Sequence, residues 1–232
     1  MEEALSKVAN SFVHVICAGR TDAGVHAQGQ VIHFETNIVR ESRAWIYGTN
    51  ANLPRDVSIL WAWNVPDEFH ARFSARSRHY RYQILNRAIR PALLRNRFTW
   101  ECRTLSIDRM QAAGNYLIGE HDFSAFRTSA CQAVSPVRTI HHLQIIRYGE
   151  YIYIDVIANA FLHHMVRNIA GVLIAIGLKK QEPEWANQVL ATLDRTQGGV
   201  TAPASGLYLL GVEYPRHFRI PRISSIPAVS AF

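Results

Sequence analysis

The sequence predicts an α+β protein built from two halves, each of them a sheet covered by helices. Segments with the two-residue alternation of strands occur in pairs, and segments with helical periodicity lie between those pairs. The order strand, helix, strand, strand is found on both sides of about residue 73, which is typical of two ferredoxin-like or RRM-like halves related by a pseudo-two-fold axis. We therefore expect residues 1–73 and 74–214 to flank a central basic cleft, followed by a loosely held tail at 215–232.

The first half begins with a short helical segment, and branched and aromatic residues dominate the strands that follow. A loop bounded by glycines interrupts these strands and is expected at the surface. The predicted elements are a helix at 2–9, a strand at 12–17, the glycine-bounded loop at 19–24, a strand at 30–36, a helix at 40–47 and a strand at 57–64.

The second half opens with an extended segment at 75–86, in which arginines alternate with Tyr80 and Tyr82 as in a strand with one solvated face. Ser106 is a suitable N-cap for the next helix, and Gly119 is its stop. The remaining predicted elements are a hairpin of strands at 139–147 and 151–157, a buried helix at 161–177, a helix at 183–193 and a strand at 206–214.

The charge distribution points to a polyanionic partner. The chain has a formal net charge of +7, and only three of its 25 cationic side chains are lysines. Eight arginines, interleaved with aromatic residues, fall within residues 69–100, a segment without a single acid. Arginine binds phosphate with a planar fork and stacks on bases, so this composition favours RNA. The alternative is an ordinary solvated face in an arginine-rich chain.

Composition also bears on location. The longest nearly uncharged apolar segment, 169–178, is about half of what a bilayer crossing requires. The first residues carry acids where a secretory leader carries bases. We therefore expect a cytoplasmic protein without a membrane span, and we expect Cys17, Cys102 and Cys131 to be reduced.

Familiar cofactor and metal signatures are missing. The sequence contains no GxGxxG, GxxxxGK[ST], HExxH or GxSxG motif. The doublets His141-His142 and His163-His164 are the nearest approach to a ligand cluster. Neighbouring residues on a strand or helix point in different directions, so neither doublet is expected to chelate a metal, and no metal site is predicted.

The loop at 18–26 is the segment hardest to explain as scaffold. It places the carboxylate of Asp22 at the tip of a tight turn, with Gly19 and Gly24 available for unusual dihedral angles and Arg20 two residues earlier. These residues alone leave open whether Asp22 is functional or an ordinary turn residue.

Residues 19–27, Gly-Arg-Thr-Asp-Ala-Gly-Val-His-Ala, closely resemble the active-site loop of the tRNA pseudouridine synthase A family. Four further segments are similar to later motifs of that family and occur in the same order. They are RHYRY at 78–82, GEHDFSAF at 119–126, FLHHMVRN at 161–168, and TAP at 201–203 with GLYL at 206–209. The resemblance extends from Glu2 to Tyr214.

The resemblance implies an enzyme that isomerises uridine to pseudouridine at positions 38, 39 and 40 of the tRNA anticodon stem-loop, as a homodimer and without cofactor or metal. Asp22 is then the catalytic nucleophile, attacking either C6 of the uracil or C1′ of the ribose. Two other interpretations stay open. A noncatalytic RNA-binding module would retain only the basic surface, and a metal-dependent nuclease would require clustered carboxylates or histidines.

Further roles follow from the same resemblance. Arg167 matches the arginine that pairs with the catalytic aspartate, although a structural ion pair is its alternative role. Tyr80 matches the tyrosine that stacks on uracil and stands near the C5 proton, or it is a core residue. Arg20 matches the arginine that replaces the extruded nucleotide, and a phosphate contact is its competing role.

Three more residues are expected to contact the substrate: Arg78, Ser124 and Arg127. Phe123 and Phe126, in the same segment as Ser124, are expected in the core, and His163 and His164 are expected to be core histidines with satisfied hydrogen bonds.

The chain also departs from the family. Its members ordinarily open with a strand that carries a Tyr-Asp-Gly-type turn and a Gly-Trp segment, which this sequence lacks. We therefore expect its first methionine to be an internal residue of a longer reading frame. Ala204-Ser205 also replaces the usual Pro-His-like pair before Gly206.

Overall fold

The computed structural model describes residues 1–129 and 131–221, and within these ranges it mixes helices with a large sheet and a small one, so the α+β class is confirmed. In chain order the elements are α1 (Glu2–Ala9), β1 (Ile16–Cys17), β2 (His26–Ala27), β3 (Ile32–His33), α2 (Ser42–Asn50), β4 (Ser77–Asn86), β5 (Thr99–Glu101), α3 (Ile107–Asn115), β6 (Gly119–Asp122), β7 (Val137–Tyr148), β8 (Tyr151–Ala158), α4 (Met165–Gly177), α5 (Trp185–Thr192) and β9 (Leu207–Glu213).

The described chain divides into two compact units. The first contains residues 1–20, 30–75 and the described residues from 212 onward, and the second contains residues 21–29 and 76–211. The loop that carries Asp22 is therefore part of the second unit. The division into halves at about residue 73, and the cleft between them, stay predictions.

In the first unit, α1 and α2 form where helices were predicted. One apolar cluster buries Leu5 and Ala9 of α1, Val13 of the segment after α1, and Trp45 of α2. A second cluster contains Ala18, Val31, Phe69, Ala71, Tyr214 and Phe218. The strands expected at 12–17 and 30–36 contribute only β1 and β3, two residues each, which pair antiparallel.

The strand predicted at 57–64 is wrong, because these residues join no ladder in the described chain. The side chain of Asn50 takes the place of a strand partner. Its Nδ2 donates to the carbonyl oxygen of Ile59 over 2.9 Å, and its Oδ1 accepts the N–H of the same residue over 2.6 Å. Alternating hydrophobicity predicts an extended backbone, but it does not show whether a second strand lies beside it.

The segment after Tyr214 was expected to be loosely held. Its first residues contain a short 3₁₀-helix, Arg216–Phe218, and Phe218 is buried with its ring 5.1 Å from that of Phe69. The rest of that segment, residues 222–232, lies outside the described residues.

The second unit is built on a seven-stranded sheet with the order β2-β9-β4-β8-β7-β6, and β5 pairs with β4. Strand β4, the hairpin of β7 and β8, and β9 form close to their predicted bounds. One face is buried under α3 and α4, with Tyr82, Ile84 and Ile154 fully enclosed. Among residues 1–129 and 131–221, no helix has both the length and the apolar character that crossing a bilayer requires.

Candidate active site

The loop that carries Asp22 is fixed to the edge of the large sheet. The N–H of Val25 donates to the carbonyl oxygen of Asp22 over 3.0 Å, which closes a turn, and Gly24 takes a φ of +82° that a side chain would resist. Immediately after this turn, β2 pairs in parallel with β9, with His26 beside Tyr208. The turn therefore places the Asp22 backbone next to a rigid strand.

His26 fastens the same loop to a second segment. Its Nε2 donates to the carbonyl oxygen of Asn96 over 2.9 Å, which leaves Nδ1 to accept from Nη1 of Arg97 over 3.1 Å. The imidazole also stacks on Tyr208 at 4.6 Å, and the Tyr208 hydroxyl donates to the carbonyl oxygen of Arg97. This histidine of the Gly-Val-His-Ala motif thus serves to hold the loop.

The carboxylate of Asp22 has three side-chain partners in the described chain, all within the second unit. Nη1 of Arg167 donates to Oδ2 over 2.8 Å, and Nε2 of His164 lies 3.0 Å from the same oxygen. Nε2 of His163 lies 3.0 Å from Oδ1. The pairing of Arg167 with Asp22, which the family resemblance implied, is therefore present.

All three partners come from the start of α4. His164 is the N-cap of this helix and has a left-handed backbone with φ of +65°, so the helix begins at Met165 and not at 161 as predicted. The expectation that the rings of His163 and His164 point apart is wrong. This backbone turn brings both rings to the same carboxylate, with their centroids 4.3 Å apart.

His163 and His164 were expected in the core, and their contact with Asp22 was not predicted. The signal was their spacing, since they precede Arg167 by four and three residues. Residues three and four positions apart lie on the same face of a helix, and here the same alignment extends to the two residues that precede α4. The first turn of a helix also presents unpaired backbone N–H groups, whose partial positive charge favours a nearby carboxylate.

The guanidinium of Arg167 is oriented by the backbone of the 199–202 segment. Its Nε donates to the carbonyl oxygen of Ala202 over 2.9 Å. The segment can lie this close because α4 has a glycine, Gly171, facing it, where any Cβ would overlap the carbonyl oxygen of Val200. The buried side chain of Asn168 also holds this segment, because its Oδ1 accepts a hydrogen bond from the Thr201 hydroxyl over 2.7 Å.

The environment of His164 favours its neutral imidazole. Burial lowers its pKa, and the charge of Arg167 lowers it further, while the Asp22 carboxylate acts in the opposite direction. The ion-pair distance alone would favour protonation, but desolvation of the ring is the largest effect and outweighs it. At neutral pH His164 thus lies 3.0 Å from Oδ2 of Asp22 as an uncharged imidazole.

Three other residues expected at the site belong to the second unit, and their substrate roles stay predictions. Tyr80 of β4 is buried, with its ring edge-on to Phe161 at 4.9 Å. Arg78 is also buried and donates from Nη1 to the carbonyl oxygen of Asn159 over 2.8 Å. Arg127 is partly exposed.

Ser124 and Arg20 are two further residues that were expected to contact the substrate. Ser124 is partly exposed and begins a short 3₁₀-helix, while Phe123 and Phe126 are fully buried, as predicted for core residues. Arg20 is exposed and belongs to the first unit. The substrate roles of Ser124 and Arg20 also stay predictions.

The same three side chains form a group with metal-ligand geometry. One ligand atom from each of Asp22, His163 and His164 lies within 4.8 Å of the others, so the doublet and the aspartate together have ligand spacing that the sequence did not reveal. The guanidinium of Arg167 lies 2.8 Å from Oδ2 of Asp22 and already balances its negative charge. This positive charge disfavours the binding of a metal cation at the same oxygen.

The site thus contains one aspartate on a fixed loop, partly exposed and in contact with an arginine and two imidazoles. Residues 113–215 match the family model described as tRNA pseudouridine synthase. Proteins named tRNA pseudouridine synthase A are similar along nearly the whole chain. The one from Nitrosococcus oceani is 59% identical over 224 residues, which cover 97% of this chain and 86% of the relative.

The corresponding protein from Coxiella burnetii is 56% identical over 96% of this chain and 85% of its own length. The protein from Pseudomonas aeruginosa is 57% identical over 95% of this chain and 78% of its own length. The chain belongs to the tRNA pseudouridine synthase family, which is a family of isomerases.

Proposed function

We propose that this protein isomerises uridine to pseudouridine at positions 38, 39 and 40 of the tRNA anticodon stem-loop, with Asp22 as the nucleophile. The observation that carries the proposal is the placement of the Asp22 carboxylate, which lies 2.8 Å from Arg167 and remains 24% exposed. A nucleophilic carboxylate has to be ionised and accessible at the same time. The names of the relatives, at up to 59% identity, support the reaction.

The chemistry follows from what an isomerisation of uridine demands. Asp22 attacks C1′ of the ribose or C6 of the uracil, the bond between N1 and C1′ breaks, and the base turns so that C5 joins C1′. The bond from Asp22 breaks as C5 joins C1′ if the attack was on C1′, or by elimination from C6 afterwards, and the carboxylate is regenerated. The proton on C5 then leaves, and N1 gains a proton. No electrons are gained or lost and no atom is supplied from outside except exchangeable protons, so side chains suffice for every step.

Arg167 has two tasks in this scheme. Its cation favours the ionised carboxylate before attack, and it stabilises the same charge again when Asp22 departs from the product. Because its Nε is held by the Ala202 backbone, this stabilisation requires little reorganisation during the reaction.

Recognition of the RNA is assigned to the basic and aromatic side chains. The net charge of +7 and the arginines within 69–100 supply phosphate contacts, and an exposed aromatic or guanidinium plane can stack on a base. Within this proposal, the residues that contact the substrate are Arg20, Arg78, Tyr80, Ser124 and Arg127. The proposal also places the protein in the cytoplasm, where tRNA is modified, and gives it a homodimeric form in which one anticodon arm contacts both subunits.

Position mapping tests the proposal. The purified protein is incubated with unmodified tRNA transcripts that carry uridine at 38, 39 or 40, and with transcripts in which each of these is replaced by cytidine. Pseudouridine is then located by carbodiimide-dependent primer extension. We expect conversion only at uridines in these positions. Conversion at other positions would overturn the assigned specificity, and salt-sensitive binding without any conversion would favour a noncatalytic RNA-binding module instead.

A further inference from the structure

The two oxygens of the Asp22 carboxylate are held differently. Oδ2 receives both Arg167 and His164, whereas Oδ1 has only His163 as a side-chain partner in the described chain. The side chains of Arg167 and His164 are 16% and 27% exposed, and that of His163 is 44% exposed. Oδ1 and His163 therefore lie on the open side of the carboxylate, from which a nucleotide has to approach.

We propose that Oδ1 of Asp22 is the attacking oxygen and that His163 is the general base that removes the proton from C5 of the rearranged uracil. The proposal rests on the proposed function and deepens it. It gives His163 a catalytic role and makes His164 and Arg167 positioning residues, which hold Oδ2 and thereby leave Oδ1 free to react.

Distance places His163 within reach of the proton. In either route Asp22 is bonded to C1′ or to C6, and C5 is the atom that joins C1′ and is the direct neighbour of C6. The C5 proton therefore lies within a few bonds of Oδ1. Nε2 of His163 is 3.0 Å from that oxygen, so the imidazole ring lies beside the atoms from which the proton has to depart.

The proton inventory of the reaction balances with a single imidazole. When Oδ1 forms its bond to the nucleotide, it becomes an ester or adduct oxygen and a weaker acceptor, so the Nε2–H of His163 is released from it. The solvent-exposed ring exchanges its N–H proton with water, so that Nδ1 carries the proton and Nε2 accepts the C5 proton, while the electron pair of the C5–H bond restores the double bond of the uracil. The imidazolium returns one proton to N1 or to water.

Tyr80 is the alternative candidate for the base that removes the C5 proton, and it is less suited to this step. A phenol has an ordinary pKa of about 10 and is a poor base at neutral pH, whereas an imidazole is half protonated near pH 6.5. Tyr80 is also only 7% exposed. The backbone of His163 is anchored by the N–H of Thr128, which donates to its carbonyl oxygen over 3.1 Å, while its exposed ring has room to turn.

Isotope effects separate a base from a positioning residue. The His163→Gln variant keeps an amide N–H near the position of Nε2 but cannot take up a proton. Single-turnover rates are measured with tRNA that carries ordinary uridine and with tRNA that carries uridine deuterated at C5. We expect the rate to fall by about 10²- to 10⁴-fold, the usual contribution of a general base. We also expect a primary deuterium effect larger than that of the unaltered protein, because C5–H cleavage becomes rate-limiting.

If His163 only positions Asp22, the early bond-breaking step slows instead, and the deuterium effect stays constant or shrinks. Either of those results overturns the proposal. His142→Gln, at an exposed histidine of β7, is the matched control and should change neither quantity. Should the glutamine variant melt at a lower temperature than the unaltered protein, His163→Ala with added imidazole replaces it. Rescue of the rate by imidazole supports the base role, and absence of rescue contradicts it.

The result is distinguishable from failure of the proposed function. If the unaltered protein forms no pseudouridine, or if Asp22→Asn forms it at the normal rate, the proposed function fails. If the unaltered protein is active, Asp22→Asn is inactive, and His163→Gln keeps the rate and isotope effect of the unaltered protein, the role of His163 alone is wrong.

Discussion

Arg167 and Ala202 hold each other through two reciprocal hydrogen bonds. Nε of Arg167 donates to the carbonyl oxygen of Ala202 over 2.9 Å, and the N–H of Ala202 donates to the carbonyl oxygen of Arg167 over 3.1 Å. The same guanidinium donates from Nη1 to Asp22. The backbone of Ala202 therefore helps to fix the position of the guanidinium that pairs with Asp22. The long arginine side chain does not set this position alone.

Replacing Arg167 by lysine should separate charge from orientation. Lysine preserves the positive charge but has no second nitrogen for the Ala202 carbonyl, so the ammonium is not held in the plane of the carboxylate. We expect the single-turnover rate of Arg167→Lys to fall about 100-fold, the cost of a small displacement of catalytic groups. We expect Arg167→Ala to lose roughly 2 kcal/mol of unfolding free energy as well, because it leaves a partly buried carboxylate without its guanidinium partner.

Denaturant titration and single-turnover kinetics measure the two effects independently. A lysine variant with the unaltered rate would show that orientation by Ala202 is unimportant. An alanine variant as stable as the parent protein would show that the ion pair contributes nothing to the fold.

Gly171 provides a test at a distance from the chemistry. In Gly171→Ala the new Cβ would overlap the Val200 carbonyl oxygen, so the 199–202 segment has to move away from α4. We expect this change to cost about 1 to 3 kcal/mol of unfolding free energy, as overpacking does, and to reduce the rate by loosening Arg167. Thermal unfolding together with single-turnover kinetics checks both.

The matched control is Gly211→Ala in β9, where no atom of the residues that the structure describes lies within 4 Å of an added Cβ. It should be neutral within about 0.5 kcal/mol. Equal effects of the two alanine substitutions would contradict the account of close packing at Gly171.

The first unit should lose stability in mild acid through His33. Burial lowers the pKa of His33 below its ordinary value of 6.5, with a further contribution from His70, while Glu35 acts in the opposite direction. Its Nδ1 accepts the N–H of Ala71 over 3.1 Å, and protonation of that nitrogen would break the bond. The unfolded chain then binds a proton more readily than the folded one, so stability is complete above about pH 6.5 and falls as the pH is lowered through that value.

Thermal unfolding between pH 5 and pH 8 measures this dependence. In His33→Asn the amide oxygen takes the place of Nδ1 as an acceptor that does not titrate, so the slope below pH 6.5 should be smaller than in the unaltered protein. An unchanged slope would exclude His33 as its source.

The limits of sequence-based prediction are clear in particular elements. Helix α3 and strand β7 followed from periodicity, because each has one buried face with a regular repeat. Strands β4 and β8 were predicted from their branched and aromatic residues, but both of their faces are largely buried, so the solvated arginine face expected of β4 is wrong. The segment at 57–64 has the same alternation, but residues 1–129 and 131–221 place no strand beside it, and pairing is a tertiary property that a local pattern does not contain.

At the site, the ion pair between Asp22 and Arg167 joins residues 145 positions apart, and only the family resemblance predicted it. The contacts of His163 and His164 were missed because they depend on the left-handed backbone at His164. A histidine is uncommon in that conformation, and hydrophobic periodicity does not indicate it. The hydrogen bonds of His26 were missed for a related reason, since its partners Asn96 and Arg97 are about 70 residues away.

The central claim is that Asp22 forms a bond with the nucleotide, and the most direct measurement compares Asp22→Asn with Asp108→Asn, a matched change at an exposed aspartate in the first turn of α3. Pseudouridine formation is followed in a single turnover, with both variants saturated with tRNA. We predict that Asp22→Asn binds tRNA as the unaltered protein does but reacts more than about 10⁴-fold more slowly, as nucleophile variants do, while Asp108→Asn reacts normally. An Asp22→Asn variant that forms pseudouridine at the rate of the Asp108→Asn control would contradict the account.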